Sequence, residues 1–218
     1  VVRVVTPGTV CEPSLLDHKA NNYLASVVIE GDKAGLSYVD ITTMEFCATQ
    51  LSIDDLHLEL ERVMPSELIV PGEQHPTALG NYNLLEAAAQ QMSSSSYQCT
   101  PLLSHLGVST LESFGCLEVP LAARAASLIV EYLSVNHMEV LKYLGHLRPY
   151  SADSFMMLDK QTRRNLEIFD GGRWGGNGLA LLTTLDLTRT PMGGRLLRKW
   201  LGQPFLDLEN LNTRQDVV

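Results

Sequence analysis

Carboxylates are the first residues in this chain whose type and placement could do chemistry. Asp40 closes a β-like run, and Glu30, Glu45 and Asp54 lie near it in sequence. Acids converging on two metal ions about 4 Å apart would make a metal-dependent nuclease. Glu30 and Glu45, however, fall at the ends of expected strands and Asp54 in the first turn of an expected helix, where turn and cap roles account for such acids. The six histidines, at 18, 57, 75, 105, 137 and 146, are scattered singly, without HExxH or a close ligand pair. No GxSxG elbow is present, and no cysteine accompanies a recognisable base motif. The expectation is therefore no catalytic, cofactor-binding or metal-binding constellation in this chain.

A second candidate set is basic. Residues 1–159 hold 7 Lys/Arg against 19 Asp/Glu, a balance of −12, whereas residues 160–218 hold 9 against 6, a balance of +3. The acidic body repels phosphates, so any polyanion contact belongs to the last quarter. Arg163, Arg164, Arg195, Arg198 and Lys199 are the candidates for weak DNA or phosphate contacts, weighed against the plainer reading of a solvated helix face. The glycine-rich stretch DGGRWGGNG (170–178) lacks the lysine of GxxxxGK[ST] and the spacing of GxGxxG, which argues against a phosphate cradle.

The elements that would position these residues read as follows. A short β run and a TPGT turn open a leading segment over 1–18. YLASVVIE (23–30), LSYVDITT (36–43) and EFCATQL (45–51) alternate β-branched and aromatic residues between turns, the pattern of a three-stranded antiparallel meander. Ser52 with Asp55 starts a helix that Pro65 ends, and ELIVP (67–71) is a buried strand reached by that helical crossover, hence parallel to an earlier strand. NLLEAAAQQM (83–92) is expected to be helical, SSSS (93–96) a loop, and 100–116 a small helix and turn. PLAARAASLIVEYLSVNHMEVLKYLGHL (120–147) predicts one long helix. FMMLD (155–159) reads as a strand and KQTRRNLEIF (160–169) as a short helix. Thr190 and Pro191 start an amphipathic helix to about Leu201, with Arg195, Arg198 and Lys199 on one side and Leu196, Leu197, Trp200 and Leu201 on the other. Asp207 caps a second helix.

Four separated cysteines, Cys11, Cys47, Cys99 and Cys116, fit reduced thiols of a cytoplasmic protein. No apolar run nears the roughly 18 residues of a membrane span, and no leader peptide opens the chain. The lack of an initiating methionine and the end inside a helix suggest an excised fragment.

The stretch TRRNLEIF, a glycine-bearing loop, then LLTTLDLTRTPMGGRLLRKWLGQPFLDLENLNTRQDVV resembles the start of the core (lever) domain of the MutS family of DNA mismatch repair proteins. Upstream, VVRVVTPGT, NNYLASVV and GLSYVDITTMEF resemble that family's connector domain, and GVSTLESFGC with PLAARAASLIVEYL its passage to the core. Met44 stands where glycine is usual before the Glu-Phe pair. The resemblance implies an α/β plus all-α fold. A ribonuclease H-like connector (mixed sheet with helices, 19–115) would follow a linker over 1–18. A linking helix and the helical beginning of the core would occupy 116–218. It also implies mismatched double-stranded DNA as the ligand of the full-length protein, a homodimer in that form, and the connector as a surface for MutL. In the family, the mismatch reader carries Phe-x-Glu and the ATPase a P-loop that handles ATP and Mg; this sequence has neither motif. The expected role is thus non-catalytic coupling of mismatch binding to the ATPase. The alternatives are an independent ribonuclease H-like nuclease and a simple DNA-binding module.

Overall fold

The computed structural model describes residues 6–71, 84–87, 99–112, 118–171 and 180–217. The VVRVV run, residues 88–92, the serine tract, Cys116 and positions 172–178 of the glycine-rich stretch lie outside them. The chain forms two compact units, Val1–Leu16 with Asn22–Ser151, and Asp17–Asn21 with Ala152–Val218.

The first unit is built on a mixed sheet. β1 (Tyr23–Glu30), β2 (Lys33–Asp40) and β3 (Glu45–Ser52) form the expected antiparallel meander. Gly31, in the tight β1–β2 turn, takes φ +63, where a side chain would be strained. Met44 closes the β2–β3 turn at φ 59. The position that usually holds glycine therefore does need left-handed backbone, and here methionine adopts it at some strain. α1 (Ile53–Val63) starts on Ser52, whose Oγ accepts from the Asp55 amide, and ends before Pro65. β4 (Glu67–Pro71) then pairs parallel to β1, as the crossover required. A further strand, β5 (Leu84–Ala87), pairs parallel to β4. The expected helix over 83–92 is thus not formed at 84–87, where pairing to an open sheet edge overrides the intrinsic helix preference of Leu-Leu-Glu-Ala. β6 (Arg148–Pro149) adds to β3, and the order is β5-β4-β1-β2-β3-β6.

Both faces of this sheet are covered, so its strands are buried nearly throughout. α1 packs on one face over Ala25, Val27, Leu36, Tyr38 and Leu68. On the other lies α3 (Pro120–Asn136), with α2 (Thr100–Leu106) beside it. α3 approaches closely because the sheet offers small residues in register, Ser26 opposite Ser37 and Ser37 opposite Ala48. Its own contact surface includes Ala122, Ala125 and Ala126. Ser26 Oγ donates to the Ala125 carbonyl at 2.6 Å, and Gln50 Oε1 accepts from the Leu121 amide at 3.0 Å. At Gly35 a Cβ would lie 2.1 Å from the Leu121 carbonyl, so only glycine admits the helix.

One expectation fails here. The single helix over 120–147 stops at Asn136, because His137 leaves helical backbone (φ −145, ψ 48); only the short α4 (Met138–Leu141) follows. α3 therefore runs about 25 Å, and it packs in the sheet's core. The sheet unit runs to Ser151. The described part of the leading segment packs on the sheet unit. Gly8 and Thr9 are buried, the Gly8 amide donates to Glu67 Oε2 at 3.0 Å, and Asn22 Nδ2 donates to the Pro7 carbonyl at 2.8 Å.

The second unit is helical: α5 (Lys160–Asn165), α6 (Leu181–Leu185), α7 (Pro191–Gly202) and α8 (Leu208–Val217). The strand expected over 155–159 is reduced to one bridge, Phe155 to Phe205, whose rings stack 5.4 Å apart. Three caps form; those at Thr190 and Asp207 are the expected ones, and Asp159, read as the end of a strand, is the third. Asp159 Oδ1 accepts from the Thr162 amide, Thr190 Oγ1 from Gly193, and Asp207 Oδ2 from Asn210.

Candidate functional site

The candidate acids do not converge. Asp40 and Glu45 face each other across the β2–β3 turn, whereas Glu30 pairs with Lys33 at the other end of β1. Asp40 is fully buried and holds the turn. Its Oδ1 accepts from the Thr42 amide at 2.8 Å, Thr42 Oγ1 at 2.7 Å and the Thr43 amide at 3.3 Å. Oδ2 takes the Asn22 amide at 3.3 Å. Glu45 accepts from the Tyr23 hydroxyl at 3.0 Å, and Glu30 pairs with Arg124 at 2.7 Å. Asp54 is exposed in the first turn of α1.

The basic candidates share two helices but not one face. Arg163 on α5 is buried while Arg164 is exposed. On α7, Lys199 is exposed and Arg195 half-buried, and Arg198 lies with its guanidinium 5.2 Å from the Phe169 ring centroid. The opposite side of α7 is partly covered: Leu197, Trp200 and Leu201 are half-buried and Leu196 is exposed.

Two polar clusters went unsignalled by the sequence. On the α1 face of the sheet, Arg62 pairs with buried Glu59 through Nε at 2.8 Å and through Nη2, and its guanidinium packs over the rings of Tyr38 and Tyr150. The Tyr150 hydroxyl donates to Glu59 Oε1 at 2.6 Å and accepts from Arg62 Nη2 at 3.2 Å. Burial first, and then the neighbouring Tyr38, push the Tyr150 phenol well above its ordinary pKa, so it stays protonated and can donate. This network ties the chain at Tyr150 to α1, one residue before the first unit ends. In the second unit, Lys19 Nζ donates to Asp186 Oδ2 at 2.8 Å and to the Thr188 carbonyl at 3.1 Å.

Among the described residues no group of three or more His, Cys, Asp or Glu could hold a metal ion, and no helix is long and apolar enough to cross a membrane. The arrangement is one of fixed packing contacts, and comparison with known proteins gives it a context. Residues 22–148 match the family model for MutS domain II, and residues 161–218 that for MutS domain III. The chain belongs to the MutS family. The two matches fall within the two compact units, domain II on the sheet and domain III on the helices. The DNA mismatch repair protein MutS of Dehalococcoides mccartyi is 41% identical over 227 residues, covering 100% of this chain and 26% of the relative. Those of Thermosynechococcus vestitus (40% over 237 residues, 27% of the relative) and Nostoc punctiforme (41% over 234 residues, 26%) are similarly close, again over 100% of this chain. The chain thus spans about a quarter of the length of the relatives it matches.

Proposed function

We propose that this chain is the mechanical link of a mismatch-recognition protein. Its sheet unit is the ribonuclease H-like connector and its helical unit the beginning of the core, or lever, domain. The ribonuclease H-like assignment rests on the strand order β5-β4-β1-β2-β3, three antiparallel strands followed by two parallel ones. In this reading the full-length protein works in the cytoplasm as a homodimer, binds mismatched double-stranded DNA, and hydrolyses ATP with Mg at a site outside this sequence. The link passes displacement between the two sites, and the connector presents a surface to MutL. The observation that carries the coupling role is the backbone contact of α3 at Gly35. Such a contact has no slack, so helix and sheet shift together or separate, which suits a transmitting body.

The test is a crosslink pinning connector to core in the full-length protein. Expected is loss of ATP-induced conversion to a sliding clamp, with mismatch binding retained. Unchanged conversion refutes the coupling role. Direct DNA binding by the basic residues is a lesser contribution, since Arg163 is buried and Arg198 is occupied by Phe169.

A further inference from the structure

Asn22, at the entry to β1, joins two turns of the sheet unit. Its side chain bonds the leading segment: Nδ2 donates to the Pro7 carbonyl at 2.8 Å, while Oδ1 accepts from Ser66 Oγ at 2.5 Å. Its backbone amide donates to Asp40 Oδ2 at 3.3 Å, and the other oxygen of that carboxylate holds the Thr42 and Thr43 amides and the Thr42 hydroxyl. The residue these bonds confine is Met44, whose amide donates to the Asp40 carbonyl at 2.8 Å and whose φ is 59. Left-handed backbone is unfavourable for a residue with a Cβ and persists where its surroundings over-determine it. Here the surroundings are Asp40 and, behind it, Asn22. Asn22 is 9% exposed and Asp40 fully buried, so neither finds water to replace a lost partner.

The far end of this line is the turn Thr6–Thr9. It is closed by the Thr9 amide on the Thr6 carbonyl and by the Thr6 amide on Thr9 Oγ1, both at 2.9 Å. Gly8 seats it on β4 through its amide on Glu67 Oε2, and a Cβ at Gly8 would lie 3.1 Å from Glu67 Cβ and Oε2 and from Leu24 Cδ1. We propose that this leading turn is a latch for the strained β2–β3 turn. Seated, it places the Pro7 carbonyl on Asn22, and Asn22 keeps the Asp40 carboxylate where it holds Met44 left-handed. Unseated, Asn22 loses Pro7, Asp40 loses a fixed donor, and Met44 relaxes, which changes the exposed surface at Thr42 and Thr43. The strain gives the device its direction, because the seated form of the β2–β3 turn is locally the less favourable one. Every part lies within the sheet unit, and the inference does not require the coupling role proposed above.

Amide exchange on the full 218-residue chain tests it. Gly8→Ala crowds Glu67 and Leu24 and unseats the leading turn. Exchange is expected to rise about tenfold at residues 8 and 9, and at least about threefold at Asn22, Thr42 and Thr43. Met44→Gly removes the strain, so the amides of Thr42 and Thr43 should exchange about two- to tenfold more slowly. Adding Gly8→Ala to Met44→Gly should then change them by less than about twofold. Asn22→Ala cuts the line while leaving a backbone amide for Asp40. It should speed exchange at residues 8 and 9 and at Thr42 and Thr43 alike. Throughout, the amides of Ala25, Leu36 and Ala48 stay protected, which separates release of the turns from loss of the sheet. Should Gly8→Ala leave residues 8 and 9 protected, or lose the sheet, Asn22→Ala decides, and unchanged exchange at either turn overturns the proposal. Opening at residues 8 and 9 with unchanged Thr42 and Thr43 overturns it too, as does undiminished transmission in Met44→Gly.

Discussion

Replacing Gly35 by alanine tests whether α3 and the sheet form one body. A Cβ there would lie 2.1 Å from the Leu121 carbonyl carbon and oxygen and 2.6 Å from the Ala122 nitrogen. Carbon contacts settle at about 3.5–4.0 Å, so the helix must lift by more than about 1 Å. A gap of that size forfeits about a quarter to a half of each dispersion contact. α3 buries ten residues along its length, and the short Ser26–Ala125 hydrogen bond stretches with it. The loss is therefore about 4 kcal/mol, above the ordinary range for overpacking and a large part of a domain's stability. The assay is urea unfolding of the whole chain. All seven tyrosines lie between residues 23 and 150, and both tryptophans at 174 and 200. Tyrosine near-ultraviolet dichroism thus follows the sheet unit and tryptophan fluorescence the helical unit. The tyrosine transition should move to lower urea with the tryptophan transition held. Gly145→Ala, which meets nothing within 4 Å, should stay within about 0.5 kcal/mol. A loss below about 1 kcal/mol for Gly35→Ala would refute the close-contact argument.

The buried Glu59–Arg62–Tyr150 network gives graded expectations in the same tyrosine transition. Tyr150→Phe removes one hydroxyl and should lower stability by about 1–2 kcal/mol, whereas Arg62→Met strands the Glu59 carboxylate and should lower it by about 3–5 kcal/mol. Asp40→Asn replaces an acceptor facing several donors with an amide that must turn one N–H toward them, and should lower stability by about 1–3 kcal/mol. Equal urea midpoints for Asp40→Asn and the unsubstituted chain would contradict the turn-holding role. Asp186 sits at a pKa of about 2, held down first by Lys19 and then by Thr188. Its contribution is present above the unfolded carboxylate value near 3.9 and is lost as pH falls through about 2. Carboxyl-resonance titration should show that low midpoint, and Lys19→Met should bring it back toward the ordinary range.

Much of the architecture was legible because its determinants are local. Alternation gave β1 to β3, and Ser52, Thr190 and Asp207 announced their helices as N-caps. What was hidden depends on residues far away in sequence. Leu84–Ala87 has no strand-forming side chains, and only the edge of β4 makes it β5. The 120–147 stripe continues past His137 in composition, while the backbone turns away there. A Glu–Arg pair three residues apart on a helix reads as solvated charge, and Tyr150, some 90 residues on, makes it buried. The advance sign of the Lys19 contact on α7 was a pair of glycines, Gly193 and Gly194, inside an otherwise good helix. Gly193 makes room for Thr188 and Thr190, Gly194 for Lys19. Of the five basic candidates, the helical wheel placed three together correctly in angle, but it could not show that Phe169 lies beneath Arg198.

The two units are held together internally by different physics, and that difference bears on how each would respond to a load. In the sheet unit, one face is fastened by backbone contact at Gly35, and on the other the desolvated Glu59–Arg62 pair of α1 is tied to Tyr150 and packed on Tyr38. Either fits or fails as a whole, since a buried charge without its partner and a Cβ-sized gap are both unfavourable at once. In the helical unit the fastenings are surface stacks: Arg214 over Trp200 at 4.5 Å and over Phe205 at 4.1 Å, and Arg198 over Phe169 at 5.2 Å. It also leaves Leu187, Met192 and Leu208 largely exposed. Cation–π contacts weaken gradually with displacement and tolerate sliding. A force delivered through the chain would therefore move the sheet unit as a rigid piece and be taken up first by rearrangement among α5 to α8. Within the helical unit, the partly exposed Lys19–Asp186 pair is a fastening that salt weakens.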